Sequence, residues 1–185
     1  GGYRNGIVAG VNLHNGSIDN EQFVNLPGAV KGALASSNID RSRNVAVYVE
    51  NSFFLRPNVA IVAGLQYQHA VRERQDRFFA DGDQSGRRSY DELSPKVGIL
   101  WDVDATWQVF GNISRSAEVP TFDTNTFATP ASSTVDAQTA TTYEIGTRGQ
   151  RPTLRWDVAI YRAEIRYELQ CLTTGPFSPC TVVNA

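Results

Sequence analysis

An all-β fold, with about seven antiparallel strands running up and down as part of the wall of a transmembrane barrel, is what this sequence predicts. Three observations carry the prediction: strict two-residue alternation of side-chain chemistry, connections short at one end of the strands and long at the other, and aromatics gathered at the short end. With 41% hydrophobic and 19% charged residues among 185, composition is ordinary and leaves the class to the pattern. Charge is more decisive. The balance of 17 Lys+Arg against 19 Asp+Glu, net -2, is too neutral for a protein that binds by neutralising phosphate backbones, which argues against nucleic acid as a partner. The longest apolar run, Val59 to Leu65, stops at Gln66, far short of the roughly 18 to 20 residues of a helical membrane span. The start, Gly1-Gly2-Tyr3-Arg4, carries no Met and no basic-then-apolar leader, so the expectation is an internal piece of a longer protein.

The strands follow in order. Tyr3 to Asn15 and Asn44 to Phe54 are weaker segments that the alternation still allows. Asn58 to His69 is clear: Val59, Ile61, Ala63, Leu65 and Tyr67 share one parity, while Ala60, Val62, Gly64, Gln66 and Gln68 share the other. Glu92 to Asp102 repeats it, with Leu93, Pro95, Val97, Ile99 and Trp101 opposing Ser94, Lys96, Gly98, Leu100 and Asp102. Pro95, lacking an N–H, belongs near that strand's start. Thr106 to Ser116 and Thr139 to Gly149 come next. In the last, Thr153 to Arg166, Leu154, Trp156, Val158 and Ile160 oppose Arg155, Asp157, Ala159 and Tyr161.

The connections decide between a barrel and a sandwich. Leu55-Arg56-Pro57, Val103-Asp104-Ala105 and Gln150-Arg151-Pro152 are tight turns with Pro or Asp chemistry. Gly16 to Arg43, Ala70 to Asp91 and Ala117 to Gln138 read as long polar loops. Turn and loop alternate, so all the short connections share one end. A soluble sandwich rarely carries even one loop beyond about 12 to 15 residues, whereas short periplasmic turns and long extracellular loops are the pattern of outer-membrane barrels. Phe53, Phe54, Trp101, Trp107 and Trp156 flank the turns, where an interfacial girdle belongs; ordinary core aromatics at strand ends are the plainer alternative. On the barrel reading, Glu50, Ser52, Gln66, Gln68, Lys96, Gln108, Asn112, Glu144, Arg148, Arg155 and Asp157 line a wet lumen, and Glu144/Arg148 can pair with Arg155/Asp157 across their ladder.

Several segments then match a known family in order. Leu93-Ser-Pro-Lys-Val-Gly-Ile-Leu-Trp101, Val109-Phe-Gly-Asn-Ile-Ser-Arg-Ser-Ala-Glu-Val-Pro-Thr-Phe122, and Thr142-Tyr-Glu-Ile-Gly-Thr-Arg-Gly149 followed by Trp156-Asp-Val-Ala-Ile-Tyr-Arg-Ala-Glu-Ile-Arg166 together resemble the barrel of TonB-dependent outer-membrane receptors of the siderophore type. The resemblance covers about Asn44 to Cys171 and implies a 22-stranded barrel around an N-terminal plug. It further implies uptake of ferric siderophores, or of haem or cobalamin, powered by the TonB complex. Residues 1 to 185 show no plug, TonB-contacting box, signal peptide or terminal aromatic strand, so they are read as a fragment of the barrel domain, with the plug and remaining strands absent.

Since the family's ligands bind between plug and outer loops, Arg72, Arg74, Arg77, Arg87, Arg88 and Tyr90 in the Ala70 to Asp91 segment are candidates for an anionic, partly aromatic ferric chelate. Glu73, Asp76, Asp81 and Asp83 lie among them, so a self-neutralised loop, or one facing outer-membrane lipid and lipopolysaccharide, is the competing reading. Arg115 and Phe122, with Glu118 and Phe127, are further candidates of the same kind.

Cys171 and Cys180 are separated by Leu-Thr-Thr-Gly-Pro-Phe-Ser-Pro, which can fold back, so a disulfide worth roughly 2 to 3 kcal/mol is expected on an oxidising export route. Two sulfurs without a nearby His make a poor zinc set, Asp81-Gly-Asp83 lacks the terminal Glu of a calcium loop, and no cofactor or metal is expected. His14 and His69 stand far apart, without a nucleophile motif or a phosphate-cradling Gly loop, so no enzyme is expected. Two rival functions stay open: a passive porin-like or adhesin barrel, and a soluble carbohydrate-binding β-sandwich whose core is the apolar face.

Overall fold

The computed structural model describes residues 4–122, 135–173, 175 and 181–185. One sheet dominates. Its seven strands are β1 (Asn5–Leu26), β2 (Val30–Arg56), β3 (Val59–Asp76), β4 (Gly86–Asp104), β5 (Trp107–Glu118), β6 (Gln138–Arg151) and β7 (Leu154–Arg166), each antiparallel to the next in strict sequence order. The sheet curves into a half-barrel. A small hairpin, β8 (Leu169–Leu172) and β9 (Thr181–Asn184), follows. No helix among the described residues is long and apolar enough to cross a membrane.

All seven expected strands are present, but several are much longer than the alternation indicates. Gly16 to Arg43, read as a loop, is instead the far half of the β1–β2 hairpin, joined by a turn at Pro27–Ala29 where Gly28 and Ala29 both have positive φ. Most of Ala70 to Asp91 is likewise strand, leaving only residues 77–85 as a connection. The physical reason is common to both: the inward positions Asn38, Asp40 and Ser42 stand opposite Asp76, Arg74 and Arg72, so polar side chains pair with one another there and no apolar period marks the strand, while the backbone ladder continues regardless. Asp76 staples the shortened loop. Its carboxylate accepts the N–H groups of Phe78 (2.8 Å) and Gln84 (2.9 Å), and its own N–H donates to Ser85 Oγ (3.0 Å). The Ala117 to Gln138 connection alone keeps a long non-strand course among its described parts, 119–122 and 135–137.

The register sorts side chains into two faces across the whole sheet. On the outer face, row after row is apolar: Ile61 opposes Phe53 and Ile99, Leu65 opposes Val49 and Pro95, and Tyr67 opposes Val47 and Leu93. The rows continue through Val97–Ile113–Tyr143 and Gly111–Ile145–Ile160. These side chains are open, Leu13 at 69% and Ile160 at 74%, with no second sheet packed on them among the described residues, so the sandwich arrangement does not form. At the turn end, the Trp107 and Trp156 indole N–H groups converge on Thr147 Oγ1, at 2.8 and 3.5 Å.

The inner face is mostly polar or small, interrupted by Tyr48, Val62, Leu100 and Phe110. Glycines let long side chains lie flat on it: a Cβ on Gly64 would stand 2.7 Å from Lys96 Cε, because the lysine crosses β3 to reach Glu50 on β2. Gly146 has the same relation to the ring of Phe110.

Candidate ligand-binding site

The residues expected to line a lumen do share the inner face. Gln66 and Gln68 on β3, Lys96 on β4, Glu144 and Arg148 on β6, and Arg155 and Asp157 on β7 all follow one parity through the ladders. Their bonding differs from the expected cross-ladder pairs. Arg148 stands opposite Asp157, yet its Nε donates to Gln108 Oε1 (2.8 Å), and Gln108 Nε2 in turn donates to Asp102 Oδ1 (2.6 Å). Glu144 accepts from Asn112 Nδ2 (2.7 Å) instead of pairing with Arg155. A neutral amide reaches a neighbouring strand without desolvating a second charge, and β7 is so exposed that pairing there gains little.

The candidate arginines divide between the two faces. Arg72, Arg74, Arg88 and Tyr90 occupy inner-face positions beyond the apolar rows, whereas Arg87 lies on the outer face opposite Glu73, and Arg77 reaches Asp19 (3.1 Å) on that same outer side. The split was available in the sequence. Continuing the β3 parity past His69 puts even numbers inward, and only the reading of this stretch as a loop hid it.

On the inner side the arginines act first as structure. Arg74 clasps Asp40 with two bonds of 2.7 Å, both groups buried. Arg72 is buried too: Nη1 donates to Asn44 Oδ1 (2.7 Å) and the Val71 carbonyl (3.1 Å), and Nε to the Pro120 carbonyl (3.1 Å). Pro120 belongs to the connection after β5, which therefore folds inward over β3 and β4. Two further contacts hold its other end: Tyr90 OH donates to the Val135 carbonyl (3.1 Å), and Arg88 pairs with Asp136 at 2.5 Å. Ala70, Tyr90, Val119 and Ala137 form the buried apolar cluster beneath it. Burial pushes the Tyr90 hydroxyl above the usual phenol range, against the opposing pull of Arg88 and Arg72, which keeps it a proton donor to that carbonyl. Burial also lowers Arg72 from the usual guanidinium value.

Below this roof the inner face forms an open groove of about 330 Å³ whose lining includes Tyr48, Glu50, Gln66, Lys96 and Arg115. Arg115 Nη2 stands 3.7 Å from Glu92 and remains 46% exposed, so its guanidinium is available to an anion. Phe122 is the last described residue of the β5 side of the roof; Phe127 lies outside the described residues. Cys171 sits on β8 and is not a free thiol, while Cys180 lies outside the described residues. No group of three potential metal ligands occurs among the described residues. Sequence reasoning missed Asp40, Asn44 and Asp136 as partners of the arginines, since pairing across strands carries no local signature.

The fold of the sheet recurs in solved structures. The chain superposes on the ferric citrate transporter FecA with a TM-score of 0.76 at 15% identity, covering 91% of this chain and 25% of that one. It superposes on the copper transporter OprC with 0.74 at 11% identity (96% and 31%), and on the ferric yersiniabactin uptake receptor FyuA from Yersinia pestis with 0.69 at 16% identity (91% and 27%). It thus spans between a quarter and a third of the length of these proteins, and such identities establish the fold alone. No curated protein sequence matches it. The sequence does match the family described as TonB dependent receptor-like, beta-barrel, over residues 2–185. An apolar outer face, a polar inner face, up-and-down topology and that match agree, and the chain belongs to the TonB-dependent receptor family as part of its β-barrel domain.

Proposed function

We propose that the chain is part of the barrel wall of an outer-membrane receptor that takes up a ferric siderophore or a similar scarce nutrient, in a longer protein whose plug domain engages the TonB complex. The observation that carries this reading is the division of one sheet into a lipid-compatible face and a wet, doubly signed face, in a chain that matches the receptor barrel family throughout. FecA, FyuA and the ferric-catecholate import receptor Fiu are named for iron transport, and OprC for copper, which supports a metal chelate as cargo.

On this reading the turn end is periplasmic and the long-strand end extracellular. The ligand, an anion, meets Arg88, Arg115 and Phe122 at the mouth of the groove, while Arg72, Arg74 and Tyr90 hold the wall and the roof rigid around it. A Cys171–Cys180 disulfide pins the segment after β7.

The test is uptake of radioactive iron by cells carrying the full-length receptor, offered as ferric citrate, catecholate or hydroxamate chelates, with and without an intact TonB complex. TonB-dependent uptake of one chelate class is the expected result. Steady ion conductance in planar bilayers without TonB-dependent uptake would instead make the barrel a passive channel.

A further inference from the structure

We propose a second binding site, on the outer face just beyond the apolar rows, that takes the phosphate groups of an anionic outer-leaflet lipid through Arg41, Arg43 and Arg87. It rests on the membrane orientation proposed above.

The register gives the position. The last row with more than one aliphatic side chain runs Leu13, Val45, His69, Asp91 across β1 to β4. The next is Asn15, Arg43, Val71, Ser89, and the one after is Ser17, Arg41, Glu73, Arg87. Each row step is two residues, about 7 Å of strand, so the arginines stand roughly 7 to 13 Å past the Leu13–Val45 row, Arg43 beside the lone Val71. A strand tilted about 45° brings that to some 5 to 10 Å of depth, the level of lipid headgroups.

The chemistry gives the charge sign. Glu73 is shared, its Oε1 3.2 Å from Arg41 Nη1 and its Oε2 3.9 Å from Arg87 Nη1. Arg43 Nε donates only 3.3 Å to the neutral Asn15 Oδ1, and no carboxylate pairs with it among the described residues. Three guanidinium groups against one carboxylate leave two positive charges around an open groove of about 600 Å³. Arg41 and Arg87 are 49% and 69% exposed, so their donors are accessible.

The occupant follows from continuity. A free anion would meet only the arginines, whereas a lipid whose phosphates sit here lays its acyl chains on Val45, Val47 and Leu13 directly below, adding apolar burial to charge-assisted bonds. The transported ligand is excluded, because it travels on the opposite face.

The test uses the full-length receptor in detergent, titrated with lipid A carrying its phosphates and with the dephosphorylated form, followed by native mass spectrometry. Wild type should bind the phosphorylated form at least about tenfold tighter. Replacing the three together (Arg41→Gln, Arg43→Gln, Arg87→Gln) should abolish that preference, and the triple lysine replacement should keep part of it. Equal affinity for both forms in wild type, or a preference that survives the glutamine variant, would overturn the proposal. Inorganic phosphate bound as tightly as the lipid would also overturn it, in favour of a free anion. Membrane fractionation and TonB-dependent iron uptake of the same proteins report separately on the receptor reading, which can fail while the lipid preference stands.

Discussion

Arg74 and Asp40 face each other across the β2–β3 ladder in a two-point ion pair, Nε and Nη2 each 2.7 Å from its own carboxylate oxygen, with side chains only 5% and 2% exposed. Both charges have left water, so each depends on the other. Asp40→Asn should destabilise the far half of the wall by about 3 to 5 kcal/mol, the usual cost of stranding a buried charge. Replacing both together, Asp40→Leu with Arg74→Met, should cost less than the single change. Thermal unfolding of the full-length receptor in detergent checks the order of the three variants.

The two faces predict opposite tolerance at adjacent positions. Leu65→Arg puts a charge among Val49 and Pro95, near the middle of the apolar rows, and should cost about 2 to 4 kcal/mol. Gln66→Arg, one residue on, points into the wet face and should assemble nearly as wild type does. Comparing the folded fraction of each variant in outer-membrane preparations would decide it; equal losses would contradict the assignment of faces.

Glycines under flat-lying side chains should differ by what lies above them. A Cβ at Gly64 meets the flexible stem of Lys96, which can swing aside, so Gly64→Ala should fold while loosening the contact with Glu50. At Gly146 it would stand 2.4 Å from Phe110 Cζ and 2.7 Å from the Val158 carbonyl, and backbone cannot yield. Gly146→Val should therefore cost about 1 to 3 kcal/mol or more, read as a drop in unfolding temperature.

Acid should loosen the turn between β4 and β5. The Thr106 hydroxyl and N–H, then Arg151, hold Asp104 down to about 2 from its ordinary 3.8. A folded value below the unfolded one stabilises above the unfolded value and is lost as pH falls toward the folded one. The contribution should be intact above about pH 4 and gone near pH 2. Asp104→Asn should remove that part of the acid dependence, measured as unfolding temperature against pH.

How much was legible in the sequence depended on whether a strand separates two solvents. Between lipid and lumen, Val59 to Tyr67 had to alternate, and both its existence and its faces could be read. Beyond His69 charged side chains occupy both faces, the inner ones buried against one another, so the alternation of polarity vanishes and Arg72, Arg74 and Arg88 looked like loop residues although they continue the same ladders. Their partners were hidden for another reason. Asp40, Asn44 and Asp136 lie between 28 and 48 residues away in sequence, and only the register brings them together.

The shared register also governs how such a wall can change over generations. A single residue inserted within β3 would turn every later side chain of that strand to the other face, sending Gln66 toward lipid and Leu65 toward water at once. Length variants in the wall should therefore survive in twos, or not at all. The connection carrying Val119 and Pro120 escapes that parity, since it is in no ladder there. Descendants of this receptor can lengthen it residue by residue, trying new shapes at the mouth while the strands beneath stay fixed in length.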